Sequence, residues 1–466
     1  MSELSDPHRG QPGSSPVPFA DRALPTWFDD AKFGIFIHWG PYAVPCFAPV
    51  DQDMGELMAS GNWREVFKWS PYTEWYLNSW AIEGSATAAH HAATYGDRTY
   101  ESFVEEFRSR SAGASVAAWA ELFAMAGARY VVPITKHHDG FLMWRSDVPN
   151  PLRDGWMAER DHIGELADAV RARGMRFGVY YSGGIDWTFV PPPIDSFEAM
   201  IRAIPSSAEY TEYATAHMHE LIARFSPSAL WNDIAWPLHL DPNELFAHYY
   251  AAVPDGVVND RYNMIAVAQG TLHADFRTPE YSTKADPTRK WEVCRGIGRS
   301  FGYNRMETDA TMPTVDELVW MVVDIVARGG NLLLNVGPTA DGAIPMAQVL
   351  RLTTLGWWLR ENGAAIYGSR PAPQPVGTTA DGREMRSTIG ADGARYVVVR
   401  GATADGAIGA PSGDLVLPGV PLPDGAEVSM LGNDRVLPAV RRGDDLVVTL
   451  PDHLPASPAI TLAIRG

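Results

Sequence analysis

At 466 residues, 46% hydrophobic and 20% charged, the chain has the composition of a folded globular protein and the length of one large α/β barrel with a small companion domain. Its 38 Lys and Arg against 56 Asp and Glu leave a formal charge of −18, which repels phosphate backbones and anionic lipid and so excludes nucleic acid and membrane surfaces as expected partners. Cys46 and Cys294 make neither a disulfide framework nor a metal knuckle, and no apolar run reaches the length of a membrane span or a secretory core, so a cytoplasmic protein with a flexible tail over residues 1–25 is expected.

Beyond the tail, eight short β-rich runs follow one another: 33–40 (FGIFIHWG), 128–140 (ARYVVPITKHHDG), 176–184 (RFGVYYSGG), 228–234 (SALWNDI), 256–261 (GVVNDR), 274–282 (ADFRTPEYS), 290–296 (KWEVCRG) and 331–338 (NLLLNVGP). Between several of them lie segments such as SVAAWAELFAMAG, HIGELADAVRARG and YATAHMHELIARF, whose apolar residues recur three and four apart as an amphipathic helix requires. Strands alternating with helical crossovers predict a (β/α)8-like TIM barrel over 26–366. After about residue 366 the helical pattern stops at a Pro-rich break, SRPAPQPVG, and short strands separated by turn signals predict a small all-β sandwich over 367–466. No cluster in that second region has the make-up of a catalytic site.

Most barrel runs begin apolar and end polar, and the C-terminal ends of barrel strands build the active-site face. KHHDG (136–140) is the densest such end. Adjacent strand residues point to opposite faces, so His137 and His138 are poorly placed to share one metal ion; they are expected to meet a ligand from different angles as neutral imidazoles, with Asp139 turned away to cap the next turn. No metal ligand set is assigned. Paired carboxylates fit the pattern better. Asp233 ends one run between Trp231 and Trp236, flat apolar surfaces of the kind that stack on sugar rings, and Glu280 ends another. Two carboxyl groups held in unlike environments across one pocket are the equipment of glycoside hydrolysis.

Seven blocks in order, WFDDAKFGIFIHWGPYAVP, AGARYVVPITKHHDGF, GVYYSGGIDW, LWNDIAWP, VVNDR, KWEVCRGIGRSFGYNR and ARGGNLLLNVGPTADG, resemble those of the retaining α-L-fucosidase family of glycoside hydrolases, in its bacterial form, along almost the whole chain. The resemblance implies a catalytic barrel with a C-terminal β-sandwich and hydrolysis of terminal α-L-fucosides with retention, on a fucosylated oligosaccharide or glycoconjugate, without a cofactor. Position by position it implies Asp233 as nucleophile and places His38, His137, His138, Tyr180, Trp231 and Arg261 around the fucose. Glu74 and Trp75 match a segment that reaches the sugar, and Phe301 an aromatic beside the fucose methyl, where Ile234 adds to an apolar wall; for Glu74 and Phe301 a packing role is the alternative. Glu280 matches the acid/base of one bacterial branch, with Glu292 as the competitor. A hydrolase of a related sugar and a sugar-binding protein without catalysis are the other readings, and a homo-oligomer is compatible with the sequence.

Overall fold

The computed structural model describes residues 16–282, 288–401, 411–432 and 435–466. Residues 1–15 of the expected flexible tail lie outside it. Residues 16–25 are not loose: Arg22 pairs with Asp275 at 2.5 Å, donates to the carbonyls of Pro254 and Gly256, and lies 4.0 Å over the Tyr250 ring. A buried ion pair and a cation–π contact on one side chain fix this stretch to the barrel wall.

The barrel is made of β1 (Phe33–Ile37), β2 (Tyr130–Lys136), β3 (Arg176–Phe177), β4 (Val179–Ser182), β5 (Ala229–Asp233), β6 (Val257–Val258), β7 (Glu292–Gly296) and β8 (Asn331–Val336), all paired in parallel. β3 and β4 are one stave interrupted at Gly178, both pairing with β2. The eighth stave is the run 274–282, which is held by isolated parallel bridges, Phe276 to Asn259, Arg277 to Trp291 and Glu280 to Cys294, and so closes the ring between β6 and β7. Parallel strands covered on both faces need continuous apolar sequence, and β1, β2 and β5 are buried at every position. The helices Val116–Met125, His162–Ala172 and Ala208–Phe225 coincide with the three amphipathic segments of the sequence and bury Trp119, Leu166 and Leu221 against the strands.

Past the helix Met346–Asn362 the chain becomes antiparallel. One sheet contains β9 (Arg370–Thr378), β10 (Glu384–Ile389), β11 (Arg395–Arg400), β13 (Glu427–Met430), β14 (Arg435–Leu437) and β17 (Ala459–Arg465); β12 (Asp414–Leu417), β15 (Ala439–Arg442) and β16 (Asp445–Thr449) form the other. Alternation along β11 shows how the larger sheet serves two cores. Val397 and Val399 meet Leu446 and Val448 of the smaller sheet, whereas Tyr396 and Val398 face the barrel helices. The Pro-rich run expected as a break is β9 itself, and it lies at the sheet edge, where three prolines remove no ladder bond on the solvent side.

Candidate active site

The C-terminal ends of the barrel strands open into one cavity of about 390 Å³. It is lined by His38, Glu74, Trp75, His137, His138, Tyr180, Trp231, Asp233, Arg261, Glu280 and Phe301, so every site residue selected from sequence meets there, together with Ile234.

Asp233, the last residue of β5, is buried and both its oxygens are engaged. Oδ2 accepts from the Tyr180 hydroxyl at 2.8 Å; Oδ1 accepts from Arg261 at 2.8 Å and from the Ile234 amide at 2.9 Å. Burial pushes its pKa upward, but the Arg261 charge, His138 and these hydrogen bonds together outweigh burial and hold the carboxyl below its ordinary value of 3.8. It is an anion at neutral pH. Glu280 faces the same guanidinium, accepting from Arg261 at 3.3 Å through Oε2 and from the Tyr72 hydroxyl through Oε1. Arg261 therefore joins the two carboxylates through the two ends of one fork, and lies 4.8 Å over the Trp231 ring.

Glu292 is elsewhere. It begins β7 and points into the barrel interior beneath the cavity, accepting from the Tyr130 hydroxyl and from Trp231 Nε1 at 3.2 Å. Burial raises its pKa to about 7 despite those hydrogen bonds, and it does not line the cavity. Glu74 is held by the Gly302 amide at 2.8 Å and Ser300 at 3.3 Å, with burial again raising its pKa to about 7. Trp75 meets His138 edge-on at 4.9 Å, and Phe301 lies 4.8 Å from His38 and 5.4 Å from Tyr72.

β2 ends at Lys136, so His137 and His138 lie past the ladder, free of strict alternation, with ring centroids 4.0 Å apart and planes at 40°. Lys136 turns outward to Asp186 at 2.8 Å. Asp139 caps the next turn, as expected, accepting from the Phe141 amide at 3.1 Å and from Tyr100 at 2.8 Å. That turn uses Gly140 at φ 74, where a Cβ would stand 2.6 Å from Asp186 Oδ1. The Ser182 hydroxyl donates to the Ile185 carbonyl at 2.8 Å, so it must accept the proton of His138 Nδ1 at 2.6 Å, and Nε2 of the neutral ring is an acceptor. His38 is fixed in the same sense: Asn335 donates to the Phe301 carbonyl at 2.6 Å, which aims its Oδ1 at His38 Nδ1, 2.6 Å away. His137 leans parallel to Tyr180 at 5.8 Å and keeps a buried Nδ1 without a protein partner. Burial lowers the pKa of all three, to about 3 for His38 and about 4 for His138 and well below 6.5 for His137, so each is neutral near pH 7. Among the described residues no group of three or more His, Cys, Asp or Glu is arranged to hold a metal ion.

Sequence reasoning missed Tyr72, Ser182 and Asn335, which orient Glu280, His138 and His38. Ser182 and Asn335 lie inside runs already of interest and Tyr72 two residues before Glu74, but nothing in a sequence says which hydroxyl or amide meets which partner. It also missed an apolar outer wall of Met54, Met58, Trp63, Val66, Phe67 and Met200, which comes from insertions between strands.

The α-L-fucosidase family model matches residues 14–364. An α-L-fucosidase of Dictyostelium discoideum is 34% identical over 364 residues, covering 75% of this chain and 73% of its own length. The human plasma α-L-fucosidase is 33% identical over 362 residues, covering 74% and 70%. Among solved structures, the Thermotoga maritima α-L-fucosynthase in complex with α-L-Fuc-(1-2)-β-L-Fuc-N3 superposes with a TM-score of 0.85 at 39% identity, covering 96% of this chain and 98% of that one. The α-fucosidase of the same organism with a mechanism-based inhibitor superposes at 0.82, with the same identity and coverage.

Proposed function

The chain belongs to the α-L-fucosidase family of retaining glycoside hydrolases, and from that premise we propose that Asp233 is its nucleophile and Glu280 its acid/base. The observation that carries the assignment is the Arg261 fork, which binds the two carboxylates on one cavity wall while Glu292 lies beneath the floor. A nucleophile must be ionised, and Asp233 is the carboxylate held below its ordinary pKa. Glu280 is the more open of the two, with 30% of its side chain exposed against 12% for Asp233, which suits a group that must reach a leaving oxygen and later a water molecule.

In the first step Asp233 forms a bond to the anomeric carbon as the glycosidic bond breaks, and Glu280 gives its proton to the departing oxygen. In the second, Glu280 takes a proton from water, which displaces Asp233 and releases L-fucose with its configuration retained. The Nε2 lone pairs of His38 and His138 accept hydroxyl protons of the sugar, and Phe301 with Ile234 offers the apolar wall that a C6 methyl group prefers to water. The substrate class is a terminal α-L-fucoside. A cytoplasmic setting belongs to the same proposal and suits the two buried, unpaired thiols; activity confined to the extracellular fraction would refute it.

The test of the pair is Asp233→Ala. Turnover of an aryl α-L-fucoside should fall by about 10³-fold or more, and azide should restore it by taking the vacated side of the ring, giving the inverted glycosyl azide. Near-normal hydrolysis in the variant, or an azide product of unchanged configuration, would remove Asp233 from the nucleophile's role.

A further inference from the structure

Beyond the catalytic floor the cavity changes character. Its outer wall is built by the helices Met54–Ala59, Trp63–Lys68 and Phe197–Arg202, which contribute Met54, Met58, Trp63, Val66, Phe67 and Met200. Several charged residues of these helices have partners elsewhere: Glu56 closes the capping box with Asp53, Glu65 accepts from Trp69, Lys68 lies 5.8 Å over the Trp69 ring, and Arg202 pairs with Glu198 on the surface. None of them lines the cavity. An aromatic series connects the floor to the rim, His138 to Trp75 at 4.9 Å, Trp75 to Phe67 at 5.7 Å, Phe67 to Trp63 at 6.3 Å and Trp63 to Phe197 at 5.6 Å. At its outer end Met58 is 47% exposed, Trp63 37% and Phe197 45%, so large apolar side chains stand in water at the mouth of a polar site. The inner members are rigid, since Phe67 and Trp75 pack with Ile185 and Trp187 in a buried cluster.

Resting on the fucosidase reading, we propose that this wall is the aglycone site and that it selects a flat apolar aglycone, an aromatic or similar ring system attached close to the fucosidic bond, over a second hydroxyl-rich sugar. A second sugar brings several hydroxyls that need partners when they leave water, and of Met54, Met58, Trp63, Val66, Phe67 and Met200 Trp63 alone carries a side-chain hydrogen-bond donor. An aromatic aglycone needs none. It gains from covering Met58 and Trp63, and Met side chains adapt to rings of differing outline. The catalytic floor sets which sugar is cleaved; the wall sets what it is cleaved from.

The experiment compares kcat/KM of the full chain on ethyl and 2-phenylethyl α-L-fucoside, whose departing alcohols have closely similar acidity, so that leaving-group chemistry cancels and the ring's contact remains. The phenylethyl compound should be favoured by about tenfold or more, and Trp63→Ala and Met58→Ala should each bring the ratio to within about threefold of unity. Leu238→Ala, a change at an exposed apolar residue outside the cavity, should leave the ratio as it is. A wild-type ratio near one, or a ratio that survives both wall substitutions, overturns the aglycone site. Failure to cleave either fucoside would sink the fucosidase reading itself and this inference with it.

Discussion

Arg261→Met is the most diagnostic perturbation of the site, because a single fork satisfies both carboxylates. Arg261 and Asp233 are each 12% exposed at the side chain, so the pair is close to the buried limit, where removing one partner leaves a charge without compensation at a cost of about 3–5 kcal/mol. In the native protein the folded pKa of Asp233 is depressed, so its contribution to stability is present above about pH 4 and is lost as pH falls through the lower folded value. Without Arg261 the upward push of burial has much less against it, and the sign inverts: the folded state then holds the proton more tightly than the unfolded chain. The deficit of the variant relative to the native protein should already be present near pH 4, should grow further as pH rises toward 7, and should close only as pH falls below the folded value of Asp233. Thermal unfolding followed at a series of pH values reads this directly, and the full deficit corresponds to a loss of about 3–5 °C. Turnover should fall as well, by on the order of 10²-fold or more, since the nucleophile is then protonated or misplaced. An unfolding temperature whose difference from the native protein is the same at pH 4.5 and pH 7.5, with activity within tenfold of normal, would refute the coupling of Arg261 to Asp233.

The two glutamates separate by exchange. Glu280→Ala should cost on the order of 10²–10⁴-fold on an alkyl fucoside, whereas Glu292→Gln, which keeps an acceptor for Trp231, should stay within about tenfold; the reverse order would swap their roles. His137→Ala and His138→Ala should each lower kcat/KM by about 1–3 kcal/mol in transition-state stabilisation, and EDTA should leave the native enzyme unaffected; inactivation by EDTA reversed by zinc would return the histidines to a metal. A fucose-bound crystal structure should place carboxyl oxygens of Asp233 and Glu280 about 5 to 5.5 Å apart, and a separation of about 6.5 to 9.5 Å would contradict retention.

The catalytic floor was legible because strand ends carry a local signal: an apolar run that stops at a polar residue is visible one segment at a time, and the barrel brings those stops together. Asp233 and His137 were found that way, whereas His38 was placed by the family resemblance. Glu280 was legible in the same sense, although its run makes isolated bridges in place of a regular strand, since alternation and turn residues do not report how many ladder bonds form. Partners were not legible. Tyr72 and Glu280 are 208 residues apart, as His38 and Asn335 are 297 apart, and no local pattern encodes such a pairing. The apolar wall was hidden for another reason: Met54, Met58 and Trp63 sit in short helices whose exposed apolar residues look like ordinary surface until the cavity beside them is seen. In the antiparallel region the prolines of β9 argued for a break, and edge position, a tertiary fact, overrode that local preference.

A feature common to both carboxylates was invisible in the sequence, and at Asp233 it accounts for one of the donors that fix the side chain. The residue after each has a positive φ, 66° at Ile234 and 52° at Tyr281, and neither is a glycine. A β-branched residue there is strained, at about 1–3 kcal/mol, and such strain persists where the surroundings over-determine it. Around Ile234 they do. The Asp233 carbonyl accepts from Ala235 at 2.9 Å and from Gly184 at 3.3 Å, and a Cβ on Gly184 would come within 2.5 Å of the Ala235 nitrogen, so the β4 loop presses directly on the reversal. The reversal turns the Ile234 amide back onto Asp233 Oδ1 and directs its side chain into the cavity. A relaxed extended residue at 234 would continue the strand and carry that amide away, leaving Asp233 one donor short. The strained turn at Ile234 thus sets one of the donors on Asp233, beside those of Arg261 and Tyr180, and the glycines of YYSGG are what allow a neighbouring strand to hold it.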